Sequence, residues 1–230
     1  MVVGSGLIAR RFRDYAADDE KIIFASGVSN SKNINENDFL RETRLLESIL
    51  SANKDRILIY FSTCSIEDDT INRSPYVRHK INTEHFIQQH TAQYHIFRVS
   101  NVAGTSNNPY TLLNYFVYKI LTGQPFEVWK NAYRNIIDID DMYAIIDKIL
   151  RDKTHLNKTV NIANMENYSV LRIVKNIETH LNKKANFKEV DMGKNFQLDL
   201  SDIEPLIKSL EIKFDENYLS RLLKKYYHSK

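Results

Sequence analysis

The sequence predicts an α/β fold in which a parallel sheet is flanked by helices. Apolar runs without polar alternation recur at residues 1–3, 21–25, 56–61 and 94–99, the pattern of strands buried on both faces. Each run stops at small or polar residues, Gly4, Ser26, Ser62 and Ser100, and these stops are expected to share one rim of the sheet. Segments of helical period separate the runs. The first run also opens into Gly4-Ser5-Gly6-Leu7-Ile8-Ala9, a Gly-x-Gly-x-x-Ala spacing between strand and helix.

In that turn the glycines let the backbone bend tightly and approach a pyrophosphate at the helix N-terminus, while Ala9 permits close helix–strand packing. The helix is expected over 7–15. Its Arg10, Arg11 and Arg13 either meet a phosphate or form a solvated face. After the run at 21–25 comes Ser26-Gly27, and then a helix over 39–52 with apolar residues at 39, 40, 45, 46, 49 and 50.

The stretch 56–84 is where chemistry concentrates. Its strand ends at Ser62, Thr63 and Cys64, and the carboxyl ends of strands in open α/β sheets face the ligand crevice, so the Thr63 hydroxyl is expected there. Ser74-Pro75 signals a helix start, with Ser as cap and Pro in the first turn. Tyr76 and Lys80 are four residues apart and share a face of that helix. A phenol with an ordinary pKa of about 10 is a poor base near neutrality, but a neighbouring ammonium and the positive helix end favour its phenolate. The two form a proton-transfer pair, and Thr63 supplies the further hydrogen bond that orients a substrate hydroxyl or carbonyl.

Downstream, a strand over 94–99 leads to a turn at Ser100–Gly104, a helix over 111–121, and a short strand over 126–129. Asp141 is the expected cap of a helix over 142–150, and Ser169 of one over 170–181. A strand over 160–163 lies between them. A last helix over 218–227 ends in Lys224-Lys225-Tyr226-Tyr227, read as a contact for acidic partners or as a solvated terminal helix.

The chain has 230 residues, 43% of them hydrophobic, enough for one domain or a core with a small cap. Net charge is +3, from 32 basic and 29 acidic residues without long like-charged blocks. That argues against nucleic acid as the main partner. One cysteine, Cys64, excludes an internal disulfide framework. Neither a signal peptide nor an apolar run of membrane length is read, so a cytoplasmic protein without a membrane partner is expected. The seven histidines show no metal-ligand spacing, and no metal site is expected.

Thr63, Ser74-Pro75, Tyr76, Lys80 and Glu84 together resemble the short-chain dehydrogenase/reductase superfamily, in particular its extended NAD(P)-dependent epimerase/dehydratase branch acting on nucleotide sugars. The resemblance implies a Rossmann-like fold with catalytic Thr63, Tyr76 and Lys80; an alternative register puts Cys64 in the place of the hydroxyl. It implies NAD or NADP held by Gly4, Ser5, Gly6, Leu7, Ile8, Ser26, Gly27, Tyr76 and Lys80. Lys80 would hold both the phenolate and the nicotinamide ribose. Val3 stands where the family's longer glycine pattern has its first glycine. Ser100–Gly104 is similar to the family's Arg-x-x-Asn-Val-x-Gly turn, and 133–141 to its Arg-x-x-x-x-Val-x-Asp signature, which make Asn101 and Arg134 substrate-binding candidates, Arg134 toward a diphosphate.

The segment 21–29 is similar to the family's fourth strand, not its second. Two strands and a helix are therefore missing, along with the acidic residue that normally follows the glycine loop by about 20 residues and holds the adenosine ribose. The first strand becomes the sheet edge. The expected division is a Rossmann-like core over 1–163, with 103–131 partly facing substrate, and a small C-terminal substrate region over 164–230. The implied partner is a nucleotide sugar in surface polysaccharide biosynthesis, and a homodimer is an open assembly. The rival reading is a degenerate member that binds a nucleotide or a partner enzyme and catalyses nothing; a nucleic-acid-binding module is a third.

Overall fold

A computed structural model describes residues 1–227, and the first half of the chain alternates strand and helix as the apolar runs require. Strand β1 (Val2–Val3) enters α1 (Leu7–Arg11), and a 3-10 turn at Arg13–Tyr15 returns the chain to β2 (Lys21–Phe24). Then follow α2 (Glu36–Ala52), β3 (Ile57–Thr63), α3 (Pro75–His90) and β4 (Tyr94–Val99). The second half begins with β5 (Asn101–Ala103), α4 (Leu112–Thr122), β6 (Phe126–Trp129), β7 (Tyr133–Asp138), α5 (Ile139–Arg151) and β8 (Lys158–Ile162). It ends with β9 (Asn167–Ser169), α6 (Val170–Leu181), β10 (Phe187–Val190), α7 (Glu204–Ser209) and α8 (Tyr218–Tyr226).

The main sheet has five parallel strands in the order β1-β2-β3-β4-β8. Val3 pairs with Phe24, Phe24 with Tyr60, and Thr63 with Val99. That register sets Gly4, Ser26, Ser62 and Ser100 toward one rim as expected, with β3 running one residue past Ser62 to Thr63. β1 is an edge, the arrangement expected once the family's second and third strands are missing. Smaller sheets, β5-β7-β9 and β6-β10, stand beyond this rim.

Two apolar layers explain the unalternating strands. Ile59 and Phe97 pack with Phe12, Ile146 and Ile149 on one face; Leu58, Tyr60 and Ile96 pack with Leu46 and Ile87 on the other. Full burial of each such side chain is worth about 1.5–3 kcal/mol, so a polar residue at any of these strand positions would oppose the fold. A separate cluster, including Phe116, Ile120, Val128, Tyr168, Ile177 and Leu222, supports the smaller sheets. Gly4 is required where it stands: its φ is +123°, and a β-carbon would lie 2.4 Å from the Ala25 oxygen.

Some local expectations change. The first helix stops at Arg11, because Phe12 turns into the core between Phe61 and Tyr143 and the chain tightens into a 3-10 turn. α2 starts three residues earlier than its apolar period suggests, with the Asn35 side chain accepting from Asn37 N–H. Residues 101–103 form a strand rather than a turn. The cap of α5 is Asp138, not Asp141: Asp138 accepts from Asp140 N–H at 2.8 Å, while Asp141 accepts from Tyr218 Oη at 2.6 Å. Ser169 caps α6 as expected. In the basic tail Lys224 and Lys225 are exposed, as a solvated helix would have them, but Lys225 also folds back: its Nζ lies 2.8 Å from both Asp138 and Asp140, and Tyr226 Oη donates to Asp138.

Candidate active site

A cavity of about 1380 Å³ opens along the carboxyl rim of the sheet, and it joins the glycine turn to the Tyr76 helix. Ser5, Gly6, Leu7 and Ile8 line one end, Ser26 and Gly27 the adjoining wall, and Thr63, Cys64, Tyr76 and Lys80 the centre. Gly4 shapes the turn from behind. A β-carbon on Gly6 would have nothing within 4 Å, so the backbone there faces open space. Arg10 braces this turn, its guanidinium donating to Ser5 O at 3.1 Å and Thr105 O at 3.2 Å. Arg11 lies over the Tyr143 ring and pairs with Asp140 at 2.6 Å.

Local sequence puts the central side chains in place. Ser74 Oγ accepts from Val77 N–H at 3.2 Å with Pro75 in the first turn, so α3 begins where Tyr76 meets the rim. Thr63, the last residue of β3, accepts from Ser65 N–H at 3.1 Å and lines the cavity beside Tyr76, whose pKa it pulls downward. Cys64 instead directs its thiol to Arg98 O at 3.0 Å, and burial pushes that thiol up. Neighbouring Ser62 points to the opposite side, donating to Glu84, which Arg98 also holds at 2.7 Å.

Lys80 is 2% exposed and donates to Glu42 Oε1 at 2.9 Å and Tyr60 Oη at 3.0 Å. Burial opposes its charge, but Tyr60, Glu42 and Tyr76 outweigh burial and hold the ammonium above its ordinary range. Glu42 is 0% exposed, and it too is opposed by burial; Lys80, His79 and the Val28 N–H nevertheless keep it below the usual carboxylate range. Tyr76 shows the other balance. Burial raises its pKa, and the opposing pull of Lys80 and Thr63 does not overcome it.

Toward the smaller sheets the cavity is lined by Asn101, Asn108, Tyr110, Tyr118, Trp129 and Arg134. Asn101 Nδ2 donates to Asn135 O at 2.8 Å. Arg134 pairs with the buried Asp68 at 3.1 Å, and burial lowers its pKa against the pull of that carboxylate. From residues 164–227 only Val170 and Phe196 reach the cavity lining. This arrangement can orient an oxygen between Thr63 and Tyr76, move a proton there, and offer a guanidinium to an anion at the far end.

Sequence reasoning brought together Thr63, Tyr76, Lys80 and the glycine turn, and missed Glu42, Tyr60 and Asp68. Glu42 left one signal: it lies three residues after Phe39 and four before Leu46, inside the apolar stripe of α2. Among the described residues no cluster of His, Cys, Asp or Glu is arranged to hold a metal ion. No helix is long and apolar enough to cross a membrane.

The profile of the NAD dependent epimerase/dehydratase family matches residues 16–163, which excludes the glycine turn at 4–6. No curated protein matches the sequence. Among solved structures, the chain is similar to UDP-glucuronic acid 4-epimerase from Bacillus cereus in complex with NAD, with a TM-score of 0.72 and 18% identity over 94% of this chain and 76% of that one. UDP-glucose 4-epimerase from Thermus thermophilus, also in complex with NAD, gives 0.68 and 15% over 94% and 78%. The dTDP-glucose 4,6-dehydratase from Bacillus anthracis, again with NAD, gives 0.68 and 15% over 96% and 76%.

Proposed function

The chain belongs to the NAD dependent epimerase/dehydratase family, and from that premise we propose that it carries out NAD(P)-dependent chemistry on a nucleotide-linked sugar. The observation that carries the reading is that Thr63, Tyr76 and Lys80, the last one helical turn on from Tyr76, line the same cavity as the glycine turn.

The residues fit a nicotinamide dinucleotide: Gly6 faces open space, and Gly27 and Lys80 close the wall beside Tyr76. When bound, that group supplies hydride transfer to or from a sugar carbon. Gly4, Ser5, Gly6, Leu7 and Ile8 would hold its phosphates, Ser26, Gly27 and Lys80 its nicotinamide half. Thr63 orients the sugar oxygen and Tyr76 moves its proton. Asn101 and Arg134 would face the nucleotide sugar, Arg134 toward the diphosphate. In this reading residues 1–163 form the cofactor core and 164–230 a small substrate-side cap. The setting we propose is cytoplasmic surface polysaccharide biosynthesis, by resemblance to the family.

Calorimetry with NAD and NADP separately, then turnover of UDP- and dTDP-sugars, tests the proposal. Binding of neither cofactor at millimolar concentration would leave the rival reading, a non-catalytic nucleotide or partner binder. The edge position of β1, which removes the usual adenosine wall, is the observation that favours that rival.

A further inference from the structure

Glu42 is a charge that the proposed chemistry does not use, sealed against the side chain that it does use. Its Oε1 accepts from Tyr60 Oη at 2.7 Å and from Lys80 Nζ at 2.9 Å; its Oε2 accepts from Val28 N–H at 2.6 Å and lies 3.0 Å from His79 Nε2. Glu42 is fully buried, and Lys80 is 2% exposed, at the cavity wall. Gly27 covers the pair so closely that a β-carbon there would be 2.7 Å from Lys80 Nζ. A carboxylate bound this way cannot swing aside without leaving buried donors unpaired.

We propose that Glu42 is a positioning residue: it fixes Lys80 beneath the Gly27 turn and offsets its charge, so that Tyr76 enters the reaction as a phenol that gives its proton to a keto group of the sugar. This rests on the function proposed above and narrows it to chemistry that starts with reduction. A lone ammonium near Tyr76 would favour phenolate, whereas an ammonium and a carboxylate in contact act as a dipole whose effect falls off faster with distance. Two of the other titratable groups facing this cluster stay uncharged. Tyr60 is held neutral by burial, the Cys64 thiol likewise, and His79 stacks on Phe39 beside Glu42. Glu84 and Arg98 are paired with one another. With the positive charge partly offset by Glu42, burial outweighs the remaining pull of Lys80 and favours the uncharged Tyr76 hydroxyl.

The step balances as a reduction. The Tyr76 O–H bond breaks as its proton passes to the carbonyl oxygen, and the carbonyl carbon gains a hydride from a reduced nicotinamide dinucleotide, which is oxidised. The keto group becomes a secondary alcohol, and the Tyr76 phenolate regains a proton from water entering the cavity.

The test reads Tyr76 directly, without cofactor or substrate. In protein carrying carbon-13 at the tyrosine ζ position, the resonance missing from Tyr76→Phe belongs to Tyr76. In the wild type it should stay at the phenol shift past pH 10, the ordinary tyrosine range. In Glu42→Gln it should move to the phenolate shift at least about one pH unit lower than in the wild type, and Glu42→Gln/Lys80→Met, which removes both charges, should restore the wild-type titration. Equal titration of Tyr76 in wild type and Glu42→Gln would overturn the proposal. A wild-type phenolate at neutral pH would do the same, and that measurement stands even if Glu42→Gln does not fold. Turnover assays run alongside keep the two readings apart: loss of the enzyme reading shows as no turnover with any nucleotide sugar, loss of this one as an unshifted Tyr76.

Discussion

Gly27 touches Lys80 so closely that any side chain there displaces the ammonium: a β-carbon would lie 2.7 Å from Nζ and 3.0 Å from Glu42 Oε1. A glycine that sits over a charge pair and a glycine that faces empty space therefore respond differently to one added methyl. Gly27→Ala should lower stability by roughly 1–3 kcal/mol through overpacking, read by urea unfolding. Gly6→Ala meets nothing within 4 Å in the free protein and should unfold like wild type, while binding of NAD or NADP weakens on the order of tenfold or more. An unstable Gly6→Ala with intact cofactor binding would show that this turn is structural only.

Tyr76→Phe keeps the ring and its packing but removes the group that moves the proton. Turnover of the cognate nucleotide sugar should fall by on the order of 100-fold or more, with a melting temperature close to that of wild type. Full activity in Tyr76→Phe, assayed with excess NAD and NADP separately, would return the protein to the class of binders.

Arg134 should reveal two roles at once. Arg134→Ala is expected to weaken nucleotide-sugar binding by roughly 1.5–3 kcal/mol, the worth of a hydrogen bond to a charged group. Because Arg134 also pairs with Asp68, which is 1% exposed, the same change should destabilise the fold by leaving a buried carboxylate short of a partner. Arg134→Lys should recover much of the stability but less of the affinity, since an ammonium lacks the guanidinium fork. Calorimetry and thermal unfolding on both variants separate the two effects; unchanged affinity in Arg134→Ala would assign the residue to structure alone.

His95 should make the protein acid-sensitive. It is buried against Phe97, and burial lowers its pKa from the ordinary 6.5 to about 4. Folding therefore weakens proton binding at this ring, so the unfolded chain takes up the proton first. The stability His95 contributes is full above pH 6.5 and is lost as pH falls toward 4, up to about 3 kcal/mol in all. Urea midpoints measured at pH 7 and pH 5 should differ for wild type, and by clearly less for His95→Leu. Equal differences in the two proteins would place the sensitivity elsewhere.

What could be read in advance follows how locally each feature is encoded. Thr63, Tyr76 and Lys80 were legible because a strand end, a Ser-Pro start and a one-turn spacing lie within a few residues of one another. The reduced sheet was legible for the same reason, since the run at 21–25 follows the first helix without room for further strands. Glu42 was not, because a lone Glu in a helix reads as a solvated charge until Tyr60, His79 and Lys80, from elements distant in sequence, surround it. The cap of α5 was read as Asp141 because nothing local shows that Tyr218, 77 residues later, engages that carboxylate while Asp138 caps the helix. The pairing of Lys225 with Asp138 and Asp140 has the same origin.

The short first strand also bears on how the protein behaves among copies of itself. An unpaired sheet edge is a template on which another chain can add a strand, and long flat edges seed aggregation. Here the sheet ends in β1, a strand of two residues, and the backbone turns away at once through Gly4. Between Val2 and Gly4 this margin presents only a short run of strand backbone to a foreign chain.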